Sequence, residues 1–306
     1  MSIDQVIDGS CQWDIHHGDC IPHMADMPEA CVDFSIFSPP FASLYAYTSE
    51  ASDIGNSEGW KGEGKLHLSF FFQQLRRIVK PGRAIIVHVM QIPRMKRSGE
   101  VGLFDFRGLN IRLGERAGLV YEYDWMVRKN PQAQAIRTHT HELQFAGLEK
   151  DRASCRGCLP DYLLKFRVPG DNAVPVRSNE ITRNDWIKLA EGCWDDISAT
   201  DTLNTSIAKG ENDTKHICPL QLEVIRRCTL LFSNPDEVVF SPFAGVGSEL
   251  YMAIGGRSPK TKRKIDRPRR AYGCEIKDEY VEAAKGYMAK AEKQVKQNEN
   301  LLFVKQ

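Results

Sequence analysis

The stretch VVFSPFAGVGSE, residues 238–249, reads as a strand that breaks into a glycine-bearing loop and then opens a helix. Val238, Val239 and Phe240 form the short apolar run of a buried parallel strand. Pro242 cannot continue a ladder, and Gly245 and Gly247 let backbone approach a ligand where the following helix offers unpaired N–H groups. The dinucleotide fingerprint is incomplete, because Ser248-Glu249-Leu250 replace its third glycine, so a pyrophosphate clamp is not expected. Upstream, CPLQLEVIRRCTLLF sets Leu220, Val224, Cys228 and Leu231 on one helical face. Downstream, ELYMAIGG reads as a helix, AYGCEI as a strand and KDEYVEAAKGYMAKAEKQVK as a terminal amphipathic helix. Strand, loop, helix, strand and helix with short connections imply right-handed crossovers and a doubly wound α/β sheet.

The strand AYGCEI ends in Glu275, the place where such sheets hold a ribose diol on a carboxylate. Gly245 and Glu275 are 30 residues apart because the basic run SPKTKRKIDRPRR, residues 258–270, intervenes. Loop and carboxylate together describe an adenosine site without a diphosphate clamp.

The N-terminal half repeats the pattern. WDIHHGD alternates like a strand, IPHMADMPEA suits a short helix, and DFSIFSPPFASLY, residues 33–45, is an apolar run that ends in Pro39 and Pro40. Prolines cannot donate to a ladder, so they stiffen the chain as it leaves the sheet edge. LHLSFFFQQLRRIVKPG places Leu68, Phe71, Phe72, Leu75 and Val79 at helical intervals, stops at Pro81-Gly82 and yields to the strand AIIVHV. YEYDWMVRKN and HELQFAGL are expected as two further strands. Residues 151 to about 215 lose this rhythm and are rich in Gly, Pro, Ser, Asn and Asp, apart from a helix near NDWIKLAEGCW; an insert is expected there rather than sheet.

Composition bounds the partners. The 306 residues suffice for one large α/β domain with a small insert, and 41 basic against 40 acidic residues leave a net charge of +1, so any basic surface is local. No apolar run approaches the roughly 20 residues that span a bilayer, and MSIDQVIDGS lacks the pattern of a secretory signal, so a soluble cytoplasmic protein is expected. The nine cysteines have no framework spacing and read as reduced thiols. CRGC, Cys155 and Cys158, has no second pair to complete a zinc site, although Cys193, His216 and Cys218 are candidate ligands; no metal is expected.

FAGVGS after one strand, Glu275 after the next and SPPF elsewhere resemble the S-adenosylmethionine-dependent methyltransferases that modify the exocyclic amine of a DNA base. The tetrad Ser38-Pro39-Pro40-Phe41 precedes the cofactor loop, which resembles the permuted order of the β class. HHGDC resembles the family's Gly-Asp element and would put Asp19 near the adenine. HICPLQLEVIRR resembles the helix leading into the cofactor loop. Ser241 stands where the family commonly has Asp, and Ile217 follows His216 where proline is usual.

The resemblance implies a class I methyltransferase fold with a mostly parallel seven-stranded sheet. Residues 1–150 and 216–306 would form the catalytic domain and 151–215 a target-recognition insert. The cofactor would be S-adenosylmethionine, held by Asp19, Cys20, Ser38, His216, Ser241, Pro242, Phe243, Ala244, Gly245, Gly247, Ser248, Glu275 and Ile276. In the implied mechanism the Ser38 hydroxyl and the Pro39 carbonyl accept the two hydrogens of the amine, Pro40 keeps that carbonyl oriented, and Phe41 stacks on a base flipped from duplex DNA. Serine at the first tetrad position leans toward cytosine N4, with adenine N6 as the alternative. An RNA base or protein amide as substrate, or a DNA-binding protein that kept the fold and lost catalysis, are the rival readings. Lys260, Lys262, Arg263, Lys264, Arg267, Arg269 and Arg270 are expected to meet phosphates, with Arg97, His139 and His141 adding to a basic cleft and Tyr45, Tyr47 and Trp60 stacking on nucleotides. A homodimer and a partner restriction endonuclease are both compatible with the resemblance.

Overall fold

The computed structural model describes residues 3–40, 63–94, 102–138, 145–154, 156–177, 179–204 and 220–303. Its strands are β1 (Trp13–His17), β2 (Phe34–Phe37), β3 (Ala84–Met90), β4 (Ile92–Pro93), β5 (Leu103–Phe104), β6 (Val120–Val127), β7 (Asp161–Arg167), β8 (Cys193–Trp194), β9 (Val238–Ser241) and β10 (Arg270–Glu275). The helices are α1 (Ile3–Ile7), α2 (Cys20–Asp26), α3 (Glu63–Ile78), α4 (Phe106–Arg116), α5 (Pro131–Thr138), α6 (Phe145–Lys150), α7 (Arg183–Leu189), α8 (Leu222–Phe232), α9 (Ser248–Ala253) and α10 (Asp278–Phe303).

Eight strands form one sheet in the order β1-β10-β9-β2-β3-β7-β6-β8, and β4 pairs only with β5. The run from β1 to β3 is parallel throughout, and β7 is antiparallel to both of its neighbours. The doubly wound, mostly parallel sheet expected from the sequence is present. It has eight strands instead of seven because the two residues of β8 add a short ladder beside β6.

Alternation along the strands feeds two cores. Phe34, Ile36 and Ile86 point into the layer covered by α8, α9 and α10, whereas Phe37, Ile85, Val87 and Val89 point into the layer covered by α1, α2, α3 and α4. Helix α3 buries Leu68, Phe71, Phe72 and Leu75 completely. Each such side chain contributes about 1.5–3 kcal/mol of transfer free energy. The helix stops before Pro81-Gly82, where Gly82 takes φ +73° and a Cβ would collide with the Asn172 backbone at 2.4 Å.

Two expectations change. Residues 161–167 lie in the sheet between β3 and β6, so the stretch 151–215 is not purely an insert. Lys165 and Arg167 disguise the strand pattern of DYLLKFR; both are tied at the surface to Glu122 of β6. Of HELQFAGL, residues 141–144 lie outside the described set and Phe145–Lys150 is helix α6 instead of a strand.

A buried charge cluster fastens α8. Glu223, 4 % exposed, accepts from Arg226 at 2.8 Å, Arg227 at 3.0 Å and Arg263 at 2.9 Å. Burial alone pushes its carboxyl up, but the arginines outweigh burial and hold it at about 2. A carboxylate depressed in the folded state stabilises above its unfolded pKa and stops doing so as pH falls through the folded one. Glu223→Gln should therefore destabilise by about 3–5 kcal/mol at neutral pH. Urea unfolding measured from neutral pH downward should show that difference shrinking between roughly pH 4.5 and pH 2.

Candidate active site

Strands β2 and β9 are direct parallel neighbours, with Phe34 opposite Val239 and Ser35 opposite Phe240. The Ser35 hydroxyl also donates to the Phe240 carbonyl at 3.0 Å. Both serine-proline elements therefore leave the sheet side by side at the carboxyl edge, where open α/β sheets bind ligands. Their roots touch: the Phe243 ring lies 5.8 Å from Phe37 and 5.0 Å from Phe71, centroid to centroid. Ser38 and Pro40 are half-buried and Pro39 is buried.

The glycine loop is built as the sequence suggests, with one division of labour. Gly245 takes φ +54° and a Cβ there would meet nothing within 4 Å, so it faces open space. Gly247, φ +81°, has a packing role instead: its Cβ would stand 2.9 Å from Ala284 and 3.1 Å from Met288 of α10. Glu275, 9 % exposed, accepts the Gly245 N–H at 2.8 Å and the Lys277 N–H at 2.9 Å, joining the loop after β9 to the end of β10. The Gly18 N–H donates to the Glu275 carbonyl at 2.9 Å, which brings the end of β1 to the same corner. Asp19 caps α2 by accepting from the Ile21 N–H at 2.9 Å. Cys20 is buried in the core, where burial first and then Cys274 and Asp19 push its thiol far up. Ile276 is half-buried and its carbonyl lies 3.2 Å from His17 Nε2.

Buried polar groups mark the same corner. Pro242 and Ala244 are buried, and the hydroxyls of Ser241 and Ser248 are buried without a hydrogen-bond partner among the described residues. Open space over Gly245, two waiting hydroxyls and a carboxylate at the adjacent strand end suit an adenosyl ligand that brings its own donors and acceptors. Beside them Glu249 is buried, and burial, with Glu275 adding to it, pushes its carboxyl up to about 8.

A second cluster, unmarked by the sequence reading, stands behind Ser38. Ser38 Oγ lies 2.7 Å from His88 Nδ1. His88 Nε2 lies 3.0 Å from Asp161 Oδ2, close but not aligned as an ideal hydrogen bond, and Lys129 Nζ lies 2.6 Å from the same oxygen. Burial pushes Asp161 up, but His88 and Lys129 outweigh it and hold the carboxyl below its ordinary range. The legible signal was polar residues at strand ends: a histidine inside AIIVHVM, an aspartate opening DYLLKFR and a lysine closing DWMVRK.

The basic run is not brought to this corner. It leaves α9, packs over α8 and returns to the start of β10, the end remote from Gly245. Arg269 is 1 % exposed and forks onto Glu180 at 2.9 and 2.8 Å. Arg270 donates to the carbonyls of Val6, Ile7 and Asp236. Arg263 pairs with Glu223, Lys264 with Asp266, Lys262 with the Pro259 carbonyl and Lys260 with Ser198 and Thr200. These contacts fasten a loop to the body, and Arg269 is closed to phosphate. Lys260, Lys262, Arg263 and Arg267 are exposed.

Phe41, Tyr45, Tyr47, Trp60, Arg97, His139, His141, Cys155, His216, Ile217 and Cys218 lie outside the described residues. Cys158 donates to Gln134 Oε1 at 2.7 Å, and among the described residues no group of three His, Cys, Asp or Glu could hold a metal. No described helix is long and apolar enough to cross a membrane.

Against known proteins, a family model described as DNA methylase matches residues 32–286. No curated protein matches the sequence. Among solved structures, a protein of Thermus thermophilus assigned as a DNA modification methylase, complexed with S-adenosyl-L-methionine, superposes with a TM-score of 0.65 at 21% identity, covering 90% of this chain and 93% of that one. PvuII DNA methyltransferase (cytosine-N4-specific) superposes with a TM-score of 0.62 at 16% identity, covering 90% and 86%. These likenesses establish the shared fold.

The protonated Glu249 gives this corner a pH signature. The folded chain keeps a proton that the unfolded chain releases near its ordinary pKa, so stability declines as pH rises from roughly 4.5 to about 8. Glu249→Gln should raise the melting temperature near pH 9 and leave it almost unchanged near pH 5, read by thermal unfolding at both.

Proposed function

We propose that this chain, which belongs to the DNA methylase family, methylates the exocyclic amine of a base flipped out of duplex DNA, with cytosine N4 favoured over adenine N6. The observation that carries this reading is the parallel pairing of β2 with β9, which sets the Ser38-Pro39-Pro40 corner beside the Gly245 loop at one sheet edge.

S-adenosylmethionine, when bound, supplies an electrophilic methyl group on a sulfonium sulfur. The chain's own part is to hold, orient and dry the site. Gly245, Ser241, Ser248 and Glu275 are the residues that would hold the cofactor, with Asp19 near its base. An exocyclic amine is a poor nucleophile because its lone pair is delocalised into the ring. Two fixed acceptors, the Ser38 hydroxyl oxygen and the Pro39 carbonyl, draw its hydrogens out of that plane and aim the lone pair. Proline at positions 39 and 40 removes the backbone freedom that would let the carbonyl turn away. Phe41 is assigned the stacking role on the flipped base.

A neutral hydroxyl oxygen accepts from either amine; the choice of cytosine N4 follows the resemblance, in which serine at the first tetrad position is usual among the cytosine-N4 enzymes. The parts of 151–215 outside β7 and β8 are assigned to target recognition, and duplex DNA is the partner.

Incubation with tritium-labelled S-adenosylmethionine and unmodified duplex DNA, followed by nucleoside analysis, should find label in N4-methylcytosine. Label in N6-methyladenine would overturn the choice of base, and label in neither, from folded protein that binds the cofactor, would overturn the reaction. Ser38→Ala should lower the rate by about 100-fold or more in folded protein.

A further inference from the structure

We infer that His88, held by Asp161, is a positioning residue that fixes which way the Ser38 hydroxyl points and so makes the Ser38 oxygen a pure acceptor toward the base. This rests on the proposed transfer to a base amine.

The physical chain starts at the buried end. Asp161 opens β7 and is only 2 % exposed, and its carboxyl stays ionised because His88 and Lys129 offset its burial. An ionised carboxylate can only accept, and at 3.0 Å its negative charge, although not aligned as an ideal hydrogen bond, favours the hydrogen on the nitrogen that faces it, His88 Nε2. In a neutral imidazole the other nitrogen is then a lone pair. That nitrogen, Nδ1, lies 2.7 Å from Ser38 Oγ, so the hydroxyl hydrogen is spent on His88. Both lone pairs of Ser38 remain for other partners.

The consequence is a choice between bases. A hydroxyl whose hydrogen is committed elsewhere welcomes an amine, which cytosine and adenine present, and is repelled by the carbonyl that thymine and guanine present at the corresponding edge. Without His88 the hydroxyl could rotate and donate, and the site would lose that discrimination. If His88 were doubly protonated, Nδ1 would donate to Ser38 and turn its hydrogen toward the base.

The elements packed against His88 bring few other charges. Strand β2 leads to Ser38, β7 brings Asp161, and the end of β6 brings Lys129, whose Nζ lies 2.6 Å from Asp161 Oδ2. The nearby Arg107–Asp124 pair belongs to the other face of the sheet, since Asp124 sits opposite Leu164 of the α3 and α4 layer. Among the described residues His88 is thus the link between the paired Asp161 and the Ser38 hydroxyl.

Three variants and one spectrum test this. His88→Leu should fold, bind S-adenosylhomocysteine with unchanged affinity and lose about 100-fold in kcat. His88→Asn, whose side-chain oxygen can take the place of Nδ1, should recover most of that loss. Asp161→Asn should lower kcat while leaving cofactor affinity unchanged. Nitrogen-15 NMR of the imidazoles, assigned by comparison with His88→Asn, should show His88 with the hydrogen on Nε2 at neutral pH. A hydrogen on Nδ1, full activity in His88→Leu, or no recovery in His88→Asn would overturn the inference. The spectrum needs no DNA, so if no base is methylated the functional reading fails while the hydroxyl's orientation is judged separately.

Discussion

One interaction places everything else: the parallel ladder between β2 and β9. These strands are separated by some two hundred residues of chain, yet Ser35 reaches across to the Phe240 carbonyl, and Asp33 at the foot of β2 accepts from the Val238 N–H at 2.9 Å. Arg83 from the start of β3 donates to the Asp33 carbonyl at 2.8 Å and pairs with Glu237 at the foot of β9. Three strands are therefore locked in register at the end remote from the site. A slip of one residue would turn Phe34 and Ile36 out of one core and into the other, so the two cores enforce the same register that the polar contacts define.

The electrostatics of the carboxyl edge divide into two regimes. Around Gly245 the polar groups are left waiting: the Ser241 and Ser248 hydroxyls, without partners among the described residues, and a carboxyl on Glu249 that burial keeps protonated. Around Ser38 they are already arranged, with a charged pair deep in the sheet setting the orientation of a hydroxyl at its rim. The first suits a ligand that arrives with its own hydrogen-bonding groups. The second suits a reaction in which one atom must be presented in one orientation.

Much of this was legible in the chain. Short apolar runs followed by proline or glycine identify β2 and β9, the 3.6-residue spacing identifies α3, α8 and α10, and Glu275 follows from its place at a strand end. What was obscured had a physical reason in each case. β7 hides because alternate positions carry Lys165 and Arg167, which serve a cross-strand ion pair instead of a core. The 258–270 run looks like a phosphate-binding surface because sequence counts charges but not their partners; Arg269 and Arg263 are engaged by Glu180 and Glu223, acidic residues far away in the chain. The His88–Asp161 contact joins β3 to β7, and only the antiparallel register of those strands brings it about.

In the proposed reaction, two loops at one sheet edge enclose a single pocket in which a methyl donor meets an amine. A crystal structure with S-adenosylhomocysteine measures this most directly through the separation of the ligand's sulfur from Ser38 Oγ. The sulfur should rest beside the Gly245 loop and face Ser38, leaving a gap that one methyl group and one amino nitrogen would fill. A ligand seated away from Gly245, or a sulfur walled off from Ser38 by protein, would contradict the account.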